Sequence, residues 1–148
     1  MYQSWKSRAA AIAIAAAMLV PALMFATGAG AAKGGTDRPL KVSVEGTFVS
    51  NFPNLTYTGT GNASHLGKTS YVSSSGLFTF TETLTAANGD TLTLVDNITI
   101  VSSTQATGVW TVTGGTGRFA GATGSGTSLT THTGGAAFTQ TWTGSISY

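Results

Sequence analysis

The sequence predicts an all-β protein, an eight-stranded antiparallel β-barrel, and three observations carry that expectation. Apolar and polar residues alternate with a period of two in segment after segment from Leu40 onward, the spacing that sends successive side chains to opposite faces of a strand. Eight such segments recur about every 14 residues, a rhythm that suits a barrel or sandwich. The last of them runs to Tyr148, and pairing it with the first leaves no free sheet edge.

The chain divides before the barrel begins. Lys6 and Arg8 precede an apolar run from Ala9 to Phe25, and small residues follow through Ala31 and Ala32. That is the layout of a secretory signal peptide over residues 1–32, cleaved near Ala31/Ala32. A retained membrane anchor is the rival reading, but the run covers 17 residues and contains Pro21, short of the roughly 20 needed to cross a bilayer. No stable membrane span is therefore expected after processing. The expected address is secreted or periplasmic, and the Ala-rich leader with a Cys-free body points to a bacterial envelope.

Charge excludes one class of partner. The chain carries seven Lys and Arg against five Asp and Glu. Removing Lys6 and Arg8 leaves five of each sign, so the remainder is formally neutral. Nucleic-acid binding rests on clustered basic residues that neutralise phosphates, and no such cluster exists. With no cysteine there is no disulfide and no thiol nucleophile, and the domain must be held by its core.

Residues 33–39 are polar and bounded by Gly and Pro, a flexible leader into the barrel domain of residues 40–148. Leu40, Val42, Val44 and Phe48 mark the inward face of the first strand. Leu55–Thr58 continues the pattern, a shorter strand lies near Lys68–Val72, and Ser73-Ser74-Ser75-Gly76 reads as a break. Phe78, Phe80 and Leu84 then alternate with threonines, followed by Leu92, Leu94, Ile98 and Ile100. Trp110 and Val112 mark the sixth strand, residues 125–133 a polar seventh, and Phe138, Gln140, Trp142 and Ile146 the eighth. Threonine, the commonest residue after position 32, suits a pleated surface and keeps its outer face wet without charge.

The stretch between the sixth and seventh strands contains Gly114, Gly115, Gly117, Gly121 and Gly124, with Arg118 and Phe119 as its only large side chains. Glycine at that density signals positive φ or close backbone approach at several points. The expectation is a tight crossing at a barrel end, with Phe119 plugging the apolar interior and Arg118 turned outward, its head in water.

Register around Asn88-Gly89 supplies the candidate site. A two-residue loop would set Leu84 opposite Thr93, whereas a loop of three or five residues sets Leu84 against Leu92 and Phe78 against Ile98. The second arrangement matches apolar to apolar. It also places Glu82 opposite Leu94 and Asp96 opposite Phe80, two carboxylates diagonally disposed on the inward face at roughly 7 Å between Cα atoms. Buried acids raise one another's pKa and can act as a general acid or as a polar anchor for a ligand. The plain alternative is a pair of hydrated carboxylates near a barrel mouth. Phe78, Phe80, Trp110 and Trp142 are candidate ligand-binding residues, or simply core.

Other motifs fall short of function. Gly61–Thr69 approaches a phosphate-binding loop, but five residues separate its glycines where four are required, and no helix follows. Gly115-x-Gly117 lacks the third glycine of a dinucleotide fingerprint at the right place. His65 and His132 are isolated, and no spacing of His or Cys suggests a metal site. No Gly-x-Ser-x-Gly elbow supports a hydrolase. The chain is read as having no cofactor and no metal.

The glycine stretch Gly114–Gly124 resembles the corresponding segment of the allene oxide cyclase and dirigent-protein superfamily. Gly46-Thr47-Phe48, Gly61–Lys68 and Ala87–Leu92 are similar to uncharacterised secreted bacterial relatives. The resemblance implies an eight-stranded, calycin-like barrel with a central apolar cavity, often a homo-oligomer. The plant cyclases close a fatty-acid epoxide and the dirigent proteins steer phenoxy-radical coupling, but their catalytic positions have no counterparts here, where serine, threonine and apolar residues stand. The leading expectation is non-enzymatic: an exported barrel that binds a small apolar ligand, or an envelope module. The alternatives are a cavity isomerase or cyclase using Glu82 or Asp96, and an oligomeric structural or adhesive protein.

Overall fold

The structure, a computed structural model, describes residues 35–148 other than 52 and 77, so the signal peptide expected over residues 1–32 lies outside the described residues. Eight strands follow one another: β1 (Arg38–Asn51), β2 (Asn54–Ala63), β3 (Gly67–Ser75), β4 (Thr79–Ala86), β5 (Thr91–Ile100), β6 (Gln105–Gly115), β7 (Thr123–Gly134) and β8 (Ala137–Ser147). Each pairs antiparallel with its neighbour in sequence, and β8 returns to β1 to close the barrel. The expected fold class is the observed one.

Alternation is the cause. Along β6, buried Ala106, Gly108, Trp110 and Val112 take turns with exposed residues, because a strand's side chains point to opposite faces with period two. The inward apolar residues of seven strands form one core, from Leu40 and Ile146 at one end to Tyr57 and Phe80 toward the other, while β7 turns the buried Ser128 and Thr130 inward. Threonines cover the outside.

Two segments depart from the sequence expectation. The serine run is not a break: Ser73 and Ser75 lie inside β3, buried and paired with Tyr57 and Leu55 of β2. The chain turns only at Gly76. At the N-terminus, Arg38 and Pro39 already belong to β1, with Arg38 opposite Ile146, and Ser147 Oγ donates to the Gly35 carbonyl at 2.6 Å.

The β4–β5 hairpin adopts the odd loop. Ala86 N–H donates to the Asp90 carbonyl, and Gly89 N–H returns to the Ala86 carbonyl, both at 2.9 Å, with Gly89 at φ +88°. A left-handed residue at that position is what a three-residue hairpin needs. Leu84 accordingly faces Leu92, Glu82 faces Leu94 and Phe80 faces Asp96.

The glycine-dense connection caps one end. Gly117–Phe119 forms a single 3-10 turn, and Phe119 is fully enclosed. Its ring lies 4.8 Å from that of Tyr148. Gly117 takes φ +58°, and a Cβ there would collide with the Asp90 carboxylate. Arg118 stays outside, 3.7 Å from that same carboxylate. The barrel is plugged here and open at the other end.

Candidate functional site

At the open end, where β1, β3, β5 and β7 finish, a cavity of about 240 Å³ enters the barrel. Its mouth is formed by Phe48, Leu55, Ile98, Ile100, His132 and the loop at Ser102 and Ser103; Tyr57 and Phe80 form its walls. Tyr71, Glu82 and Gln140 come next down their strands and make its floor. The walls are aromatic by packing as well as by composition. Phe48 stacks on Tyr57 at 5.4 Å, and Tyr57 meets Phe80 edge-on at 5.6 Å.

Three strands deliver the floor. Tyr71 Oη stands 2.9 Å from Glu82 Oε1 and 3.0 Å from Gln140 Oε1, while Gln140 Nε2 donates to Glu82 Oε1 at 3.0 Å. Each group thus touches the other two, and each contact needs a proton. The Gln140 amide supplies one and the Tyr71 hydroxyl one. An ionised Glu82 adds none and leaves a contact between two bare oxygens; a protonated Glu82 completes the set. Choosing the other orientation of the Gln140 amide does not change this count.

Electrostatics agree with the proton count. Glu82 is 1% exposed, and its pKa is pushed up to about 8, first by burial and then by the charge of Asp96, against the opposing hydrogen bonds from Gln140 and Tyr71. Burial raises Asp96 too, against Ser128, and raises the Tyr71 phenol far enough that it remains a neutral donor. His132 at the mouth is lowered by burial.

The structure brings together only part of what the sequence nominated. Glu82 lines the cavity, and its Oε2 has no protein partner. Asp96 is equally enclosed but stands aside from the cavity lining, accepting from Ser128 Oγ at 2.5 Å over Gly108. Neither carboxylate is a hydrated rim group. Phe80 is in the wall, whereas Phe78 precedes β4, is 55% exposed and takes no part in the lining. Trp110 and Trp142 point inward but lie below the floor. Trp110 covers Gly126 and Gly144 and donates Nε1–H to the Thr127 carbonyl at 3.0 Å. Trp142 backs Tyr71 at 5.5 Å. Gly114, Gly115, Gly117, Arg118, Phe119 and Gly121 belong to the plugged end, remote from the cavity.

Tyr71, Gln140, Tyr57 and His132 are the site residues the sequence did not nominate. Gln140 carried a signal, since it sits between inward Phe138 and Trp142. Tyr71 carried little, because the other buried residues on its face of β3 are Thr69, Ser73 and Ser75. His132 came within reach only through the barrel's closure, edge-on to Phe48 at 4.9 Å. His65 lies elsewhere, its Nε2 3.0 Å from the Pro39 carbonyl. Among the described residues no cluster of three or more His, Cys, Asp or Glu is placed to hold a metal ion, and no helix is long and apolar enough to cross a membrane. The chain matches no protein-family model, no curated protein and no solved structure.

Proposed function

We propose that this protein is an exported, non-enzymatic carrier or sensor of a small, largely apolar molecule, held inside the open end of the barrel. The observation that carries the reading is the cavity itself: one open mouth, aromatic walls, and a floor with a few convergent polar groups. That combination is the ordinary design of a small-molecule site, with apolar area supplying affinity and the polar groups fixing orientation. At about 30 Å³ per water, the space corresponds to roughly eight waters, which suits a single-ring or short-chain ligand. Exposed Val49, Phe78, Ile100 and Val101 near the mouth would ease entry of such a molecule. The export reading rests on residues 1–32, and the allene oxide cyclase-like and dirigent-like affinity on the glycine stretch.

A cavity isomerase is the second reading, favoured by one observation. Glu82 keeps its proton to about pH 8 and could donate it to a substrate, as a general acid tuned by burial does. Native mass spectrometry of the protein purified from its host without detergent tests the first reading. A bound small molecule released on denaturation supports it; a protein that is empty there and takes up no small apolar compound offered to it overturns it. If a compound is bound and chemically changed, and Glu82→Gln binds it unchanged, the isomerase reading replaces the carrier.

A further inference from the structure

The interior of the barrel has acids without bases. Glu82 and Asp96 are both enclosed, and among the described residues the buried ones include no Lys, Arg or His. Enclosed carboxylates are stable only if they are protonated or meet a counter-charge. In the empty site the proton count above requires Glu82 to be protonated. A cation entering the cavity could take that proton's place, and three features of the site suit one.

Glu82 Oε1 is committed to Tyr71 and Gln140, but Oε2 is buried with no protein partner. Aromatic rings of Phe48, Tyr57, Tyr71 and Phe80 line the same cavity as Glu82, and ring faces attract ammonium groups, most strongly where water is excluded. The cavity lining contains no Lys or Arg to repel one. An anionic ligand, by contrast, would meet the Glu82 carboxyl, with Asp96 enclosed behind the lining. Resting on the carrier reading above, we propose that the cavity takes a small monoamine with an apolar or aromatic body, its ammonium paired with Glu82 and its body against the aromatic wall. The amine enters as its cation, Glu82 releases its proton to solvent, and an ammonium N–H donates to Oε2; the Tyr71 hydroxyl then donates to Oε1, and its contact with Gln140 Oε1 opens. One proton therefore leaves for each amine bound at a pH where Glu82 begins protonated. A neutral ligand of the same shape releases none.

Several titratable groups face Glu82 and must be kept apart from it. Tyr71 of β3 and Tyr57 of β2 are both raised by burial and stay neutral. His132 of β7 is lowered by burial, which favours its neutral form. Asp96 of β5 is raised and is the one group able to imitate Glu82; Gln140 of β8 does not titrate.

Calorimetric titration of the protein as its host produces it, with 2-phenylethylamine and with 2-phenylethanol at pH 6.5, 7.5 and 8.5, tests the proposal. Buffers of two ionisation enthalpies count protons. If only the ionised Glu82 accepts amine, affinity rises about eightfold from pH 6.5 to 7.5 and about threefold more to 8.5. Nearly one proton is released at pH 6.5, and the alcohol shows neither effect. Asp96→Asn should keep a rising profile, and Glu82→Gln should abolish amine binding while its melting curve shows a folded protein. Should Glu82→Gln fail to fold, the wild-type profile still decides. Amine affinity that is flat or falls with pH overturns the inference, as does binding without proton release. Alcohol bound in preference to amine overturns it too but leaves the carrier reading standing, whereas binding of neither probe removes both.

Discussion

Glu82 and Asp96 sit two residues out of step across β4 and β5, Glu82 opposite Leu94 and Asp96 opposite Phe80, so that two acids share one barrel interior. The Asp96 charge makes Glu82's ionisation harder, and among the described residues no enclosed basic side chain relieves the pair. The pair is a destabilising feature at neutral pH. Enclosed, raised carboxyls of this kind are what make this end of the barrel the candidate site.

Stability should fall as pH rises. Glu82 ionises near 4.5 when unfolded and near 8 in the barrel, so between those values the native state binds the extra proton. Stability then drops with increasing pH and levels off above about 8. The shift of about 3.5 pKa units amounts to something on the order of 5 kcal/mol. Asp96, raised in the same direction, adds to it. Thermal melts at pH 5 and pH 8 should differ accordingly, and Glu82→Gln should narrow the gap by stabilising the protein at pH 8. A wild-type melting temperature that is higher at pH 8 would contradict the protonation state assigned here.

Asp96→Asn should pull the Glu82 pKa down. The Asp96 charge is the second cause of the Glu82 shift, after burial, and an amide removes it. The pH at which stability levels off should move to the acid side of 8. No movement would mean that the two carboxyls do not sense each other.

Phe119→Ala should destabilise without touching the cavity. Phe119 is enclosed at the plugged end against Tyr148, and losing a buried phenyl ring costs about 3–5 kcal/mol. Denaturant unfolding should show that loss, while ligand affinity at the far mouth stays within twofold of wild type. A variant with wild-type stability would show that the ring is not a structural plug.

Gly126→Ala should be costly although its surroundings are mostly apolar. Gly126 faces Gly144 across β7 and β8, and the Trp110 indole lies over both. A Cβ at Gly126 would meet the ring edge and the Thr143 carbonyl. Overpacking of this kind costs roughly 1–3 kcal/mol. The same chemical change at Gly114, where nothing lies within 4 Å of an added Cβ, should cost much less, and denaturant midpoints for the two variants compare them directly.

The sequence made strand phase legible wherever large apolar residues recur, as in β4, β5 and β8, and the Leu84–Leu92 match was enough to set the hairpin register. In β3, serine and threonine occupy both faces, so Ser73 and Ser75 gave no sign that they are enclosed, and Tyr71 none that it is a site residue. Phase does not give depth. Phe78 keeps the alternation of Phe80 and Leu84 yet lies beyond the start of β4, outside the barrel. Trp110 and Trp142 point inward yet lie below the cavity. Depth along the axis depends on the stagger of eight strands around a closed circuit, which no single segment encodes. The Tyr71–Glu82–Gln140 triangle joins β3, β4 and β8 and could emerge only from that closure.

The seam between β1 and β8 sets the order in which the molecule can be completed. Thr47 pairs with Ala137 and Arg38 with Ile146, so β1 waits for β8. A ribosome emits β1 first, and until β8 has emerged the growing sheet has an unfilled partner on the outer side of β1. Ring closure over about a hundred residues is entropically slow. Gln140 is delivered by that same final strand, so the floor of the cavity is assembled in the closing step. Chains that stop before β8 would lack the Gln140 side of the cavity floor.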